Sequence, residues 1–121
     1  MKKSIFILCL MFAATFLSSF KTVDWKFLPT TLKVTVLDEL GNPVVGAKVT
    51  LFLNEEDYRK EINPVTESKV TDEEGVVRFK KLEPVAYFVH AEFEKKTNVG
   101  AGVKTEALQE GKTNRVNTVI R

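Results

Sequence analysis

Hydrophobic and polar residues alternate with a period of two in two neighbouring stretches of the chain. Residues 32–36 read Leu-Lys-Val-Thr-Val, and residues 47–53 read Ala-Lys-Val-Thr-Leu-Phe-Leu. Such alternation is typical of half-buried β-strands, whose successive side chains point to opposite faces of a sheet. Phe52 interrupts the polar side of the second stretch. We therefore predict two strands here, with the outer side of the second strand partly covered.

Shorter or weaker patterns predict further strands, which are separated by turn residues. They cover residues 65–71, 77–79 and 85–91, with a closing strand over 116–120. In the stretch 85–91 the odd-numbered residues are predicted to face the core. No long stretch shows the period of 3.6 that marks an amphipathic helix. Short strands with Gly and Pro turn signals between them predict an all-β sandwich.

Residues 54–63 differ from the strands because charged residues follow each other there. Glu55 and Glu56 precede Arg59 and Lys60 by four residues each. This spacing supports one exposed helical turn, since side chains four apart are neighbours on a helix surface. A solvated loop is an equally good interpretation.

The first 19 residues have the three parts of a secretory signal peptide: a cationic start, an apolar stretch and a small-residue finish. The apolar stretch is shorter than the ~20 residues that span a bilayer. We therefore predict a signal peptide over 1–19, a short leader over 20–30 and one domain over 31–121. The product would be secreted or periplasmic, without stable membrane insertion. Cys9, the single cysteine, would leave with the signal, so the domain would contain no disulfide.

Charge gives little indication of a partner. The 18 basic residues of the chain fall to 16 without Lys2 and Lys3, which equals the 16 acidic residues. A domain with no net charge is not expected to bind nucleic acid or an anionic membrane surface.

Turn and core residues resemble those of carboxypeptidase regulatory-like domains. The matching stretches are 36–38, 41–44, 46–51, 71–75 and 87–89, together with Phe79 and Leu82. The resemblance covers residues 32–120 and implies a seven-stranded Greek-key β-sandwich of the transthyretin type, a fold common in exported bacterial proteins. These motifs serve turns and packing, so the resemblance implies nothing about activity.

Two related families carry chemistry that can be checked against this chain. Transthyretin-like hydrolases use several His and Arg residues and end in Tyr-Arg-Gly-Ser, whereas this chain has one His and ends in Asn-Thr-Val-Ile-Arg. Pilin and adhesin sandwiches form an internal Lys–Asn bond beside a buried acid. The corresponding places for the lysine and the acid here hold Val36 and Ala91. We predict a protein that is not an enzyme and uses no cofactor or metal.

Candidate ligand-binding residues are few. Trp25 and Tyr58 are aromatic residues that the predicted core strands do not absorb, and sugar-binding sandwiches stack carbohydrate on such rings. His90 is predicted on the outer side of its strand as a surface histidine, with Glu92 as the one nearby ligand. A metal site needs more partners than that. The acidic loops 38–39 and 72–74 lack the ligand spacing of a calcium site.

Two functions are compatible with the sequence. The first is an interaction module that binds a protein partner through its loops or a sheet edge. The alternative is a carbohydrate-binding domain that uses Trp25 or Tyr58 against a glycan.

Overall fold

The computed structural model describes residues 28–121. The predicted signal peptide, most of the leader and Trp25 therefore lie outside the described residues. Within 28–121 no helix is long and apolar enough to cross a membrane. The elements are β1 (Thr31–Leu37), β2 (Lys48–Phe52), α1 (Glu55–Lys60), β3 (Lys69–Val70), β4 (Val76–Phe79), β5 (Phe88–Phe93), β6 (Lys96–Thr97) and β7 (Thr113–Val119).

The strands form two sheets. A three-stranded sheet has the order β4-β1-β7, and a four-stranded sheet has the order β3-β2-β5-β6. β1 pairs antiparallel with β4 and parallel with β7 over its whole length, while β2 and β5 pair antiparallel. The prediction of an all-β, seven-stranded Greek-key β-sandwich is confirmed.

The core lies between the two sheets and follows the predicted alternation. Leu32, Val34 and Val36 of β1 are completely buried, as are Val49 and Leu51 of β2. Burial of one such aliphatic side chain contributes about 1.5–3 kcal/mol. The inward side chains of the two sheets form a single hydrophobic cluster, and this cluster holds the sandwich together.

Three strand predictions were wrong in their bounds. The closing strand β7 covers Thr113–Val119 instead of 116–120. β3 is only Lys69–Val70 instead of 65–71, because the amide of Val65 donates to the Leu51 carbonyl outside any ladder. β5 begins at Phe88, since Tyr87 pairs with Thr105 in an irregular segment. The predicted orientation is confirmed for Tyr87, whose buried hydroxyl donates to the Glu83 carbonyl.

The charged stretch forms the helix α1, as one of the two interpretations predicted. Asn54 caps it by accepting a hydrogen bond from the Asp57 amide, which satisfies one of the open amides of a first helical turn. The predicted ion pairs from Arg59 to Glu55 and from Lys60 to Glu56 are present. α1 contacts β2 and β5 and covers part of the outer face of the four-stranded sheet.

Candidate functional site

Tyr58 is not an exposed aromatic residue, so the premise of the carbohydrate prediction is wrong for this residue. It lies on the inward side of α1 and is only 8% exposed. Its ring packs against Phe52 at a centroid distance of 6.1 Å and against Phe88 at 5.9 Å. Large aromatic rings are buried wherever a neighbouring surface can cover them. Tyr58 joins the helix to the sheet beneath it.

His90 lies on the predicted outer side of β5, but it is not a surface histidine. It is 7% exposed because α1 covers it, and its ring centroid lies 5.8 Å from that of Tyr58. The prediction of a surface position was wrong because α1 packs over this part of β5. Alternation along β5 identified the face correctly and could not show that a helix covers it.

Glu61 reaches His90 from the end of α1. It caps the helix in the left-handed conformation with φ +53°, which glycine or asparagine usually adopts. Its Oε1 lies 3.4 Å from Nε2 of His90. Glu92 on β5 completes a group of three, whose ligand atoms all lie within 4.8 Å of one another. No sequence pattern identifies Glu61 as a partner of His90, because the two residues lie 29 positions apart in the chain.

The same three residues line an open cavity of about 330 Å³ together with Tyr58, Arg59, Thr97 and Val99. The Tyr58 hydroxyl is buried, and no hydrogen-bond partner for it is found within 28–121. Burial raises the pKa of Tyr58, and the nearby Glu61 carboxylate raises it further. A phenol beside a carboxylate thus stays protonated.

A row of cations crosses the outer face of the three-stranded sheet. Lys33 on β1 stands directly opposite Arg78 on β4 and Arg115 on β7. Arg78 and Arg115 are exposed, and Lys33 is half-buried. Like charges opposite one another on a sheet are destabilising. The zero net charge expected from the sequence therefore conceals a local concentration of positive charge.

No salt bridge involves this row within the described part of the chain. None of the three cations has a carboxylate oxygen within 4.0 Å there. The pKa of Asp72 is lowered mainly by the hydrogen bonds that its carboxylate accepts from the amides of Val76 and Glu74, and Arg78 and Lys33 lower it further.

β7 adjoins this row and forms one edge of the sheet. It is seven residues long and pairs with β1 on one side only. Because parallel strands bond through alternate residues, the remaining peptide groups of β7 point away from β1. Arg115 is the single charged residue of β7, and β7 contains no proline. Charge and proline are the usual features that block an edge strand.

The other edges of the described sheets are shorter or occupied. β3 and β6 have two residues each. At the β4 edge, the Lys69 ammonium donates to the Arg78 carbonyl, and the Asp72 amide donates to the Val76 carbonyl. β7 therefore presents the longest edge that could pair with an added strand.

A groove of about 380 Å³ runs beside the first half of β7. The loop 105–109 forms its far side, and Thr113, Asn114, Arg115 and Val116 form the near side. Asn114 fixes the groove's shape, because its side chain accepts from the Gln109 amide and donates to the Gln109 carbonyl. The groove, the edge and Arg115 are contiguous.

The two acidic loops have a structural role. Oδ1 of Asp38 accepts hydrogen bonds from the amides of Leu40 and Asn42, as Oδ1 of Asp72 does from Glu74 and Val76. The backbone hydrogen bond from Asn42 is the main reason that the pKa of Asp38 is lowered. Each carboxylate closes its own turn.

Comparison with known proteins identifies the class. The model of the carboxypeptidase regulatory-like domain family matches residues 31–121. The chain belongs to this family, in agreement with the resemblance of its turn and core motifs. No curated protein matches the chain at a significant level.

Solved structures show the same fold at low identity. The Bacillus anthracis TIE protein aligns with a TM-score of 0.53 and 20% identity over 77% of this chain and 17% of its own. A streptococcal ancillary pilin aligns with a TM-score of 0.53 and 14% identity over 78% of this chain and 32% of its own. Chlorocatechol 1,2-dioxygenase from Pseudomonas putida reaches 0.48 at 13% identity over 78% of this chain and 60% of its own, a likeness too weak to bear on activity. The chain thus spans less than a third of the first two proteins.

Proposed function

We propose that this domain is a non-catalytic, exported interaction module that binds an extended acidic segment of a partner protein. The binding surface comprises the outer face of the three-stranded sheet and the edge of β7. The observation that carries the proposal is the row of Arg78, Lys33 and Arg115, which forms no salt bridge within the described residues. Positive charge held together on one face favours a negatively charged partner.

The β7 edge favours a peptide over other anions. An extended segment could add to β7 as a further strand, with main-chain hydrogen bonds to the outward peptide groups. Neighbouring strands lie about 4.8 Å apart. Every second side chain of the added strand would then lie on the same face of the sheet as Arg115, and one of them would lie beside it. A sulfated glycan or a nucleic acid could use the cations and would gain nothing from the edge.

Family and fold support an interaction role without defining the partner. Carboxypeptidase regulatory-like motifs in this chain serve turns and core packing, and a pilin shares the fold. The signal peptide expected at 1–19 supports export to the periplasm or beyond. Because Tyr58 is buried, the carbohydrate alternative depends on Trp25, which lies outside the described residues.

A labelled peptide of alternating Glu and Thr is the probe for this proposal. We expect fluorescence anisotropy to show saturable binding that weakens as salt rises. Lys33→Glu or Arg115→Glu should weaken binding at least tenfold. Lys95→Glu introduces the same charge change in the exposed turn after β5 and should leave binding unchanged.

A second peptide separates strand addition from simple charge attraction. The same sequence with alternate amides N-methylated keeps every carboxylate and loses half of its main-chain donors. It should bind at least tenfold more weakly. Equal binding of both peptides, or equal binding of a heparin fragment, would contradict the proposal. Glycan binding that is lost in Trp25→Ala while the domain stays folded would instead support the carbohydrate alternative.

A further inference from the structure

We infer that Glu61, His90 and Glu92 form a binding site for a divalent transition metal, and that zinc is the ion it fits. The site lies on the outer face of the four-stranded sheet, on the opposite side of the sandwich from the cation row. The metal site can therefore be tested independently of the proposed peptide surface, and the failure of one proposal would not affect the other.

Geometry is the first support. Two ligands about 2.0–2.1 Å from zinc at a tetrahedral angle lie roughly 3.3 Å apart. Nε2 of His90 and Oε1 of Glu61 are 3.4 Å apart, and all three ligand atoms lie within 4.8 Å of one another. Glu61 and Glu92 have side chains that are 60% and 37% exposed, so each can move the short remaining distance without disturbing the core.

The donor set selects the kind of ion. One imidazole nitrogen and two carboxylates are ligands that zinc accepts. Calcium requires six to eight oxygen ligands, and an imidazole nitrogen is not one of them. The two carboxylates together offset the charge of a divalent ion. Lys48 lies 3.7 Å from Glu92, and this exposed ion pair would compete only weakly.

The Tyr58 hydroxyl is a second, independent observation. Tyr58 lines the same cavity, its side chain is more than nine-tenths buried, and its hydroxyl has no hydrogen-bond partner among residues 28–121. A buried hydroxyl without a partner is unfavourable. The Glu61 carboxylate lies near this hydroxyl, and its movement onto a metal ion would allow it to accept the hydrogen bond of the hydroxyl. The protein supplies three ligands, so the fourth position stays open, as it does in zinc sites that bind water or an external ligand.

Nuclear magnetic resonance of the imidazole provides the direct test. The chain has a single histidine, so untagged, full-length protein labelled with ¹⁵N in histidine gives one set of ring signals. Zinc chloride should shift the Nε2 signal and saturate at one ion per chain. Calcium chloride at the same concentration should leave the signal in place. If millimolar zinc produces no saturable shift, the site does not exist.

Calorimetric titration with zinc tests the two carboxylates. Glu61→Gln and Glu92→Gln should each weaken binding at least tenfold, and both should fold because their side chains are accessible. Glu56→Gln is the matched control: it lies on the same helix, pairs with Lys60 and is absent from the cluster, so its affinity should equal that of the wild type. Unchanged affinity in both cluster variants would show that zinc binds elsewhere and would overturn the inference.

Discussion

The four-stranded sheet buries side chains on both of its faces, and the two faces differ in composition. Its inner face contributes Val49, Leu51, Val89 and Ala91 to the core between the sheets. Its outer face holds Phe52 and His90, which pack against Tyr58 of the helix α1, and the buried Thr50 lies on the same face. The inner face is aliphatic and packs against a second sheet. The outer face is aromatic and polar, and one six-residue helix covers part of it.

This difference shows which contacts a strand pattern can reveal. The inner core follows from the period of two, because every second residue of β1, β2 and β5 is apolar. The outer cluster of Phe52, Tyr58 and His90 depends on where α1 packs. The alternation along β5 does not indicate the position of that helix. His90 and Tyr58 were therefore placed at the surface by sequence reasoning, although each is buried against the other.

The largest loss of stability is expected on the inner face, from Leu51→Ala. Leu51 is completely buried in the core. Removal of its side chain should lower the free energy of unfolding by about 3–5 kcal/mol, since the rigid sandwich cannot close the cavity. Urea denaturation measures the change. Leu53→Ala, at an exposed leucine two residues further on, should change stability by less than about 0.5 kcal/mol. Similar losses in both variants would mean that the inner face does not dominate stability.

Asn98 gives the inner region a polar contact that sequence patterns did not identify. It lies in a stretch that reads as polar and glycine-containing, yet it is completely buried. Its side chain accepts from the Ala91 amide and donates to the Val89 carbonyl and the Thr118 hydroxyl. These bonds connect β5 to β7 across the side of the sandwich. Such a role depends on tertiary contacts and leaves no local signature.

Asn98→Ala should lower the free energy of unfolding by about 2–4 kcal/mol. The reason is that buried partners of the amide lose their hydrogen bonds, each at about 1–3 kcal/mol. Thermal or urea unfolding gives the value. Asn117→Ala, an exposed asparagine on β7, is the matched control and should have little effect. A loss under 1 kcal/mol for Asn98→Ala would show that water replaces the side chain.

Phe52→Ala tests the outer face on the same strand as Leu51. Phe52 is 2% exposed and packs edge-on against Tyr58. We expect a loss of about 2–3 kcal/mol, below the usual range for a core phenylalanine, because α1 can settle into the space. Phe52→Leu should retain most of the packing and lose less than about 1.5 kcal/mol. If Phe52→Ala destabilises the protein more than Leu51→Ala does, the outer cluster is a second core of equal weight.

Much of the fold could be predicted from local signals, and little of the candidate surfaces could be. Alternation located Leu32 and Leu51, and charge spacing gave α1 as one of two interpretations of residues 54–63. The pairing of Lys33 with Arg78 and Arg115 depends on sheet order, which no local pattern specifies. Glu61 reaches His90 only because the helix ends in a left-handed turn above β5. Both the cation row and the group of Glu61, His90 and Glu92 therefore depend on how the strands and α1 are arranged in the fold.

The smallest effect is expected from Tyr58→Phe, which keeps the ring and removes the hydroxyl. With a chelator present, we expect the variant to be as stable as the wild type or about 1 kcal/mol more stable at neutral pH, because the buried hydroxyl has no partner within 28–121. Tyr87→Phe is the matched control. It removes a hydrogen bond to the Glu83 carbonyl and should lose about 1 kcal/mol. A comparable loss in Tyr58→Phe would mean that its hydroxyl is satisfied.

Alkaline unfolding sharpens the same test, because burial raises the pKa of both Tyr58 and Tyr87 above that of a free tyrosine. Below the unfolded pKa of about 10, both states keep the proton and stability does not depend on it. Between that value and the raised folded pKa, the folded state binds more protons, so stability falls as pH rises. Tyr58→Phe removes one of these two contributions. Its stability should therefore fall less steeply above pH ~10 than that of the wild type. Equal slopes would mean that the Tyr58 phenol titrates alike in the folded and unfolded protein, as it would if α1 opened from the sheet.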